Sequence, residues 1–316
     1  MTAATPLLEV HRFDAPTVAD GPRLIILGAV HGNETCGTVA IRRLLGELQA
    51  GAWAVTRGQL TLVPITNPLA YARGLRVGDR NLNRALVPRD APRDNEDRIA
   101  NELCPLLAEH DVLVDLHSFR TGERPFVMRG PPDNQGVLEP FAHAAEETRL
   151  AEHVGPTRIV EGWLSAYADA AARRRARGLL EESDPVYGVG TTEYIRTCGG
   201  YGITVECGQH EDPGAPDVAY RAIRQAIALL GLADLPLEPP PADFERLRLV
   251  AVIDREDPAD RLTREWISFD PVAAGEPVGF RADGSPVLAP RDARVVFPDP
   301  AARVGYEWFY LAEAGG

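Results

Sequence analysis

The 316-residue chain carries 45% hydrophobic and 25% charged residues, the balance of an ordinary folded protein with a sizeable core. Its formal net charge of -13 argues against a nucleic-acid binder, whose surface would be basic. No run approaches the roughly 18 to 20 apolar residues of a membrane helix, and no basic segment followed by an apolar run opens the chain, so neither a membrane span nor a signal peptide is expected.

Residues 1–22 are mixed and proline-bearing, fitting one edge strand and a loop. Residues 24–30 predict a strand buried on both faces, as in a parallel sheet. A helix follows over 35–48, where Val39, Ile41, Leu44, Leu45 and Leu48 fall at helical spacing, and Gly51 stops it. A second strand over 60–65 ends in the turn Thr66-Asn67-Pro68. Residues 71–93 lack apolar periodicity and read as a long functional loop. A helix over 96–109 and a third buried strand over 112–116 come next. A short strand is expected at 126–128, and helices at 138–153 and 162–180. The basic run Arg173 to Arg177 in the latter reads as a solvated face. Residues 188–200 read as a loop, 203–207 as a strand and 216–230 as an amphipathic helix. Strands alternating with helices define an α/β fold, a mainly parallel mixed sheet with helices on both faces.

Composition changes at Leu235-Pro236-Leu237-Glu238-Pro239-Pro240-Pro241. The chain therefore divides into a catalytic domain over 1–234, a proline-rich linker over 235–242 and a small C-terminal all-β domain over 243–316. Short β segments are expected there at 247–254, 266–269, 277–281, 287–288 and 294–297, with Asp283-Gly284 as a hairpin turn. The four cysteines, with no CxxC pair, read as reduced thiols of a cytoplasmic protein.

Three chemically loaded segments end predicted strands: His31 with Glu34, His117, and Glu206. Sites in open α/β sheets form at the carboxyl ends of the strands. Two imidazoles and one carboxylate leave a fourth metal position for water, the pattern of a catalytic zinc site. Zinc lowers the pKa of bound water to about 7, and Glu206 would serve as general base. Singly, each residue has a plainer reading. A histidine can simply finish a sheet edge, Asp115 can cap a helix, and Glu206 can pair with an arginine. The combination carries the inference.

Five motifs occur in order: His31-Gly-Asn-Glu34, Asn67-Pro68, Arg76 followed by Asn81-Leu82-Asn83-Arg84, Asp115-Leu116-His117-Ser118, and Thr204-Val-Glu206-Cys-Gly208. Over residues 24–210 the chain resembles the succinylglutamate desuccinylase/aspartoacylase family, a branch of the zinc carboxypeptidase-like hydrolases. The resemblance implies one zinc ion per chain on His31, Glu34 and His117, with Glu206 as base. It implies that Arg76 polarises the scissile carbonyl and that Asn83 and Arg84 hold a substrate carboxylate. Arg196 matches a further carboxylate-binding arginine, and Tyr306 a tyrosine lent by the C-terminal domain.

Two departures bear on the substrate. Asn81 stands where aspartoacylase has an acidic residue, and Cys207-Gly-Gln-His210 follows Glu206 in place of Val-Gly-Pro. His210 reads as a loop histidine. The activity implied is zinc-dependent hydrolysis of an N-acyl amino acid or a similar small carboxylate-bearing amide. The partner is then a small molecule, with no nucleic acid or membrane involved and a homo-oligomer allowed. A zinc carboxypeptidase acting on peptide C-termini would use the same centre, and a ligand-binding relic would keep the ligands without the chemistry. A biotinyl-type carrier is disfavoured, since the tail has no lysine.

Overall fold

A computed structural model of the chain describes residues 6–16, 21–178 and 184–315. In chain order it runs β1 (His11–Asp14), β2 (Arg23–Gly28), α1 (Cys36–Gln49), β3 (Gln59–Val63), α2 (Pro68–Arg73), α3 (Asn95–Ala108), β4 (Val112–Phe119), β5 (Phe126–Met128), α4 (Ala144–His153), β6 (Arg158–Glu161), α5 (Trp163–Ala176), α6 (Thr191–Thr197), β7 (Tyr201–Gln209) and α7 (Ala215–Leu229). The tail adds β8 (Glu245–Asp254), β9 (Arg261–Leu262), β10 (Asp270–Val272), β11 (Pro277–Phe280), β12 (Pro286–Leu288), β13 (Ala293–Val296) and β14 (Glu307–Ala314).

Two compact units result. The first comprises Met1–Phe119, Arg124–Ile159 and Val189–Phe244; the second comprises Arg120–Glu123, Val160–Gly188 and Glu245–Gly316. In the first, the sheet runs β1-β3-β2-β4-β7-β5. β2 pairs in parallel with β3 and β4, and β4 with β7, while β1 and β5 run antiparallel.

Alternation along the strands builds two apolar layers. Leu24 and Ile26 of β2 join Val112, Val114 and Leu116 of β4 beneath α1, α4 and α7. Ile25 and Leu27 join Leu113 beneath α3 and α6. Asp115 and His117 continue the Leu113 face. On β7, Ile203, Val205 and Cys207 enter the first layer, which turns Glu206 to the face that His117 shares.

The second unit holds the antiparallel sheet β8-β14-β13-β10 and the smaller sheet β12-β11-β9, around Trp266, Val278, Trp308 and Phe309. It is not all-β, because α5 belongs to it. Arg174 of that helix is 1% exposed and bonds Asp254 of β8 through Nε at 3.0 Å and Nη2 at 2.7 Å. Arg173 donates to the Val252 carbonyl, and Arg177 bonds Asp254 as well. Within the basic run, Arg174 and Arg177 therefore dock on Asp254, while Arg173 and Arg175 stay exposed as a solvated face would have them. Leu179 and Leu180, at the expected end of this helix, lie outside the described residues.

Other boundaries moved for local reasons. The helix expected from 138 starts at Ala144, since Pro140 disfavours helical backbone before it and Asn134 bridges Phe141. The loop expected at 188–200 contains α6. Trp266 does not lie on a strand; it is a core residue whose indole donates to the Val278 carbonyl at 3.0 Å. The Asp283-Gly284 turn does join β11 to β12, with Gly284 at φ 84. Among the described residues, no helix is long and apolar enough to cross a membrane.

Candidate metal and catalytic site

β2 ends at Gly28, and the next residue, Ala29, is buried with φ 49, a left-handed conformation that non-glycine residues adopt at a cost. The turn closes with the Glu34 amide donating to the His31 carbonyl at 3.1 Å. Gly32 lies against α2 so closely that a Cβ would sit 2.0 Å from the Ala70 carbonyl carbon. This tight turn aims His31 and Glu34 at one point, and the end of β4 brings His117 to the same point. The Glu34 carboxylate lies 3.0 Å from His31 Nδ1 and 2.8 Å from His117 Nδ1. One ligand atom from each of the three lies within 4.8 Å of the others, and all three residues are buried.

The donor set fits a metal ion. His31 Nδ1 makes no hydrogen bond among the described residues despite its proximity to Glu34. Each imidazole also has its other nitrogen beside a fixed oxygen, as metal-bound histidines do. His31 Nε2 is hydrogen-bonded to Asn81 Oδ1 at 3.0 Å, and His117 Nε2 lies 2.9 Å from Asp115 Oδ2 without hydrogen-bond alignment. Asn81 thus places a neutral amide at the back of His31. Asp115 in turn accepts a 2.5 Å hydrogen bond from the Thr191 hydroxyl at the start of α6.

The charges within the cluster are strongly coupled. Burial acts to raise the Glu34 carboxyl, but His31, His117 and Arg76 overcome it and hold the group well below the usual range. Burial, with help from Arg76, lowers His31 to about 4. It would lower His117 too, but Asp115 and Glu34 win and raise that imidazole well above its ordinary value.

Glu206 is the register partner of His117 across β4 and β7. It is 7% exposed and its Oε2 has no hydrogen-bond partner among the described residues. Burial, reinforced by Glu34, pushes its carboxyl up to about 8. Just beyond, β7 carries an irregularity, with Gly208 at φ 149. His210 closes it: its amide donates to the Phe119 carbonyl and its Nδ1 lies 2.8 Å from Ser118 Oγ. His210 is therefore a tie between strand ends and not a free loop residue.

Arg76 reaches the cluster from the long loop and donates to Glu34 Oε1 at 2.5 Å. Farther along that loop, the Asn83 amide donates to Asn81 Oδ1, and Asn83 Oδ1 accepts from the Thr191 amide, both at 2.9 Å. Arg84 is 5% exposed and donates to the Asn83 carbonyl. Two buried carboxylates in the first turn of α3 hold the loop. Glu96 accepts from the amides of Gly78, Asp79 and Arg80, and Asp97 pairs with the guanidinium groups of Arg80 and Arg93.

Arg196 is brought elsewhere. Its side chain is 2% exposed and bonds Glu147, Glu139, Glu193 and the Gly202 carbonyl. Tyr306 belongs to the second unit, where its ring lies 5.0 Å from the Arg303 guanidinium. Thr191, Glu96 and Asp97 gave no sequence signal of a role at the site. For Asp115 a signal existed, since residues two positions apart on a strand share a face and Asp115 lies two before His117.

A mostly parallel α/β sheet with a buried His–Glu–His cluster at its strand ends defines the class: an α/β protein with a candidate metal centre. Residues 20–136 match the succinylglutamate desuccinylase/aspartoacylase catalytic domain, and the resemblance to that family is thereby shown. The N-alpha-acetyl-L-2,4-diaminobutyric acid deacetylase of Halomonas elongata is 32% identical over 103 residues, which span 31% of this chain and only 29% of that protein. The fold is similar to that of succinylglutamate desuccinylase from Vibrio cholerae, with TM-score 0.73 and 17% identity over 96% of this chain and 85% of that one. It is also similar to the product-bound ectoine utilization protein EutE (DoeB) of Ruegeria pomeroyi, with TM-score 0.66 and 21% identity over 94% and 85% of the two chains.

Proposed function

We propose that this protein hydrolyses the amide bond of an N-acyl amino acid, or of a similar small carboxylate-bearing amide, with a zinc ion on His31, Glu34 and His117. The observation that carries this reading is the convergence of those three ligand atoms within 4.8 Å, with Glu206 in register beside His117. Bound there, zinc supplies a more acidic water and a polarised carbonyl.

The chain's own residues do the rest. Glu206 takes a proton from the attacking water and delivers it to the departing amine nitrogen. A base must be ionised, and positive charge among the ligands offsets the burial and the repulsion from Glu34 that raise its pKa. Arg76, half exposed, turns from Glu34 toward the oxygen on which negative charge develops. Asn83 and Arg84 hold the substrate carboxylate, for which a guanidinium fork is suited. Arg196, with its donors taken by three glutamates and a carbonyl, braces α4 against β7 in this reading.

The test is a screen of the zinc-loaded protein over N-acetyl, N-succinyl and N-formyl amino acids, with unblocked and C-terminally extended peptides as controls. Turnover of one acyl-amino acid class well above the peptides is expected. Turnover of long peptides at matching rates would overturn the reading in favour of a carboxypeptidase.

A further inference from the structure

Thr191 sits between the two halves of the site. Its hydroxyl donates at 2.5 Å to Asp115 Oδ2, the oxygen that lies 2.9 Å from His117 Nε2. Its amide donates at 2.9 Å to Asn83 Oδ1 on the long loop. Thr191 and Asp115 are fully buried, so water does not substitute for the bond between them. The other oxygen of Asp115, Oδ1, has no hydrogen-bond partner among the described residues. Rotation of the Asp115 carboxylate is therefore fixed on one side by the Thr191 hydroxyl, and that carboxylate packs against the His117 ring, 2.9 Å from Nε2 though without hydrogen-bond alignment. Gly190 makes the approach feasible, because a Cβ there would lie 2.1 Å from Asn83 Oδ1.

We infer that Thr191 is a positioning residue that orients the metal ligand His117 through Asp115 and docks Asn83 through its backbone. The inference rests on the zinc reading above. It assigns the two arms of Thr191 to different parts of the reaction: the hydroxyl to metal affinity, the amide to the substrate loop. Outer-sphere partners of this kind are commonly worth about 10- to 100-fold in metal affinity.

The test measures zinc affinity by competition with a chromogenic chelator for the wild type, Thr191→Val and Thr191→Ser, with kinetics on the zinc-loaded proteins. Thr191→Val keeps the shape and the amide but loses the hydroxyl; Thr191→Ala serves in its place should the valine variant not fold. The expected result is zinc affinity about 10- to 100-fold weaker for the valine variant, with rescue by serine to within about threefold. KM at saturating zinc stays within about threefold, because the amide bond to Asn83 remains. A wild type that binds zinc no better than the valine variant, while both bind tightly, overturns the inference alone. A wild type that binds no zinc overturns the zinc reading and the inference with it.

Discussion

Arg76 donates a 2.5 Å hydrogen bond to Oε1 of Glu34, the same oxygen that lies 3.0 Å from His31 Nδ1. The arginine thus holds the position from which a metal ion would compete for that carboxylate. Being half exposed, Arg76 can turn into solvent, and the buried Glu34 carboxylate keeps its contact with His117. Arg76→Ala is therefore expected to keep zinc affinity within a few-fold of the wild type, or to raise it. Its kcat should fall by about 10²- to 10³-fold, the usual cost of removing a donor to a developing oxyanion. Steady-state kinetics with metal analysis check this. Zinc affinity weakened well beyond a few-fold, with kcat at saturating zinc unchanged, would mean that the arginine holds the ligand instead.

In the proposed zinc site, His117→Ala leaves Glu34 and His31 with one ligand too few. Zinc content after dialysis should drop to background, and chelation of the wild type should abolish turnover, with zinc restoring it. Zinc should also raise the wild-type unfolding midpoint, since a ligand bound only by the folded state stabilises it. Full turnover by the chelated wild type would count against the metal assignment.

In the second unit, Arg174 and Asp254 form a buried two-pronged ion pair, with Arg177 as a further partner of the carboxylate. Arg174→Leu leaves Asp254 short of charge compensation in a dry environment. Loss of one partner of a buried pair costs about 3–5 kcal/mol, and the remaining Arg177 puts this case near the low end. Denaturant unfolding monitored by tryptophan fluorescence gives the value. A cost below about 1 kcal/mol would restore the solvated-face reading of the basic run.

The cluster around Arg196 predicts a pH dependence of stability. Burial raises the Glu139 carboxyl to about 7, despite the attraction of Arg196, with Glu193 and Glu147 adding repulsion. A raised carboxyl means that the folded state holds the proton longer than the unfolded state does. Its contribution is fully present below the unfolded value of 4.5 and is lost as pH rises toward 7. The loss amounts to at most roughly 3 kcal/mol. Glu139→Gln should flatten this part of the stability profile. An unchanged slope between pH 4.5 and 7 in the variant would contradict the assignment.

The strands and the His31, Glu34 and His117 cluster were legible because both leave local marks. Unbroken apolar runs predict buried parallel strands, and ligand-type residues at their ends stand out against them. α6 left no such mark. It has seven residues, three of them threonine, and is held by burial of Ile195 and Arg196 more than by propensity. Arg174 was misread from charge alone, although Trp163, Tyr167 and Ala170 precede it at helical spacing and continue into a buried stripe. The role of Arg196 depended on Glu139 and Glu147, distant in sequence, and so could not be read from its distance to Glu206. His210 was hidden by the irregularity in β7 that turns it toward Ser118.

Glu206→Gln, purified with zinc and measured for both metal content and turnover, addresses the central claim most directly. The amide keeps the size of the side chain but cannot take a proton from water. The account predicts a full complement of zinc and kcat lower by about 10²- to 10⁴-fold. Zinc-loaded Glu206→Gln turning over substrate as fast as the wild type would contradict it.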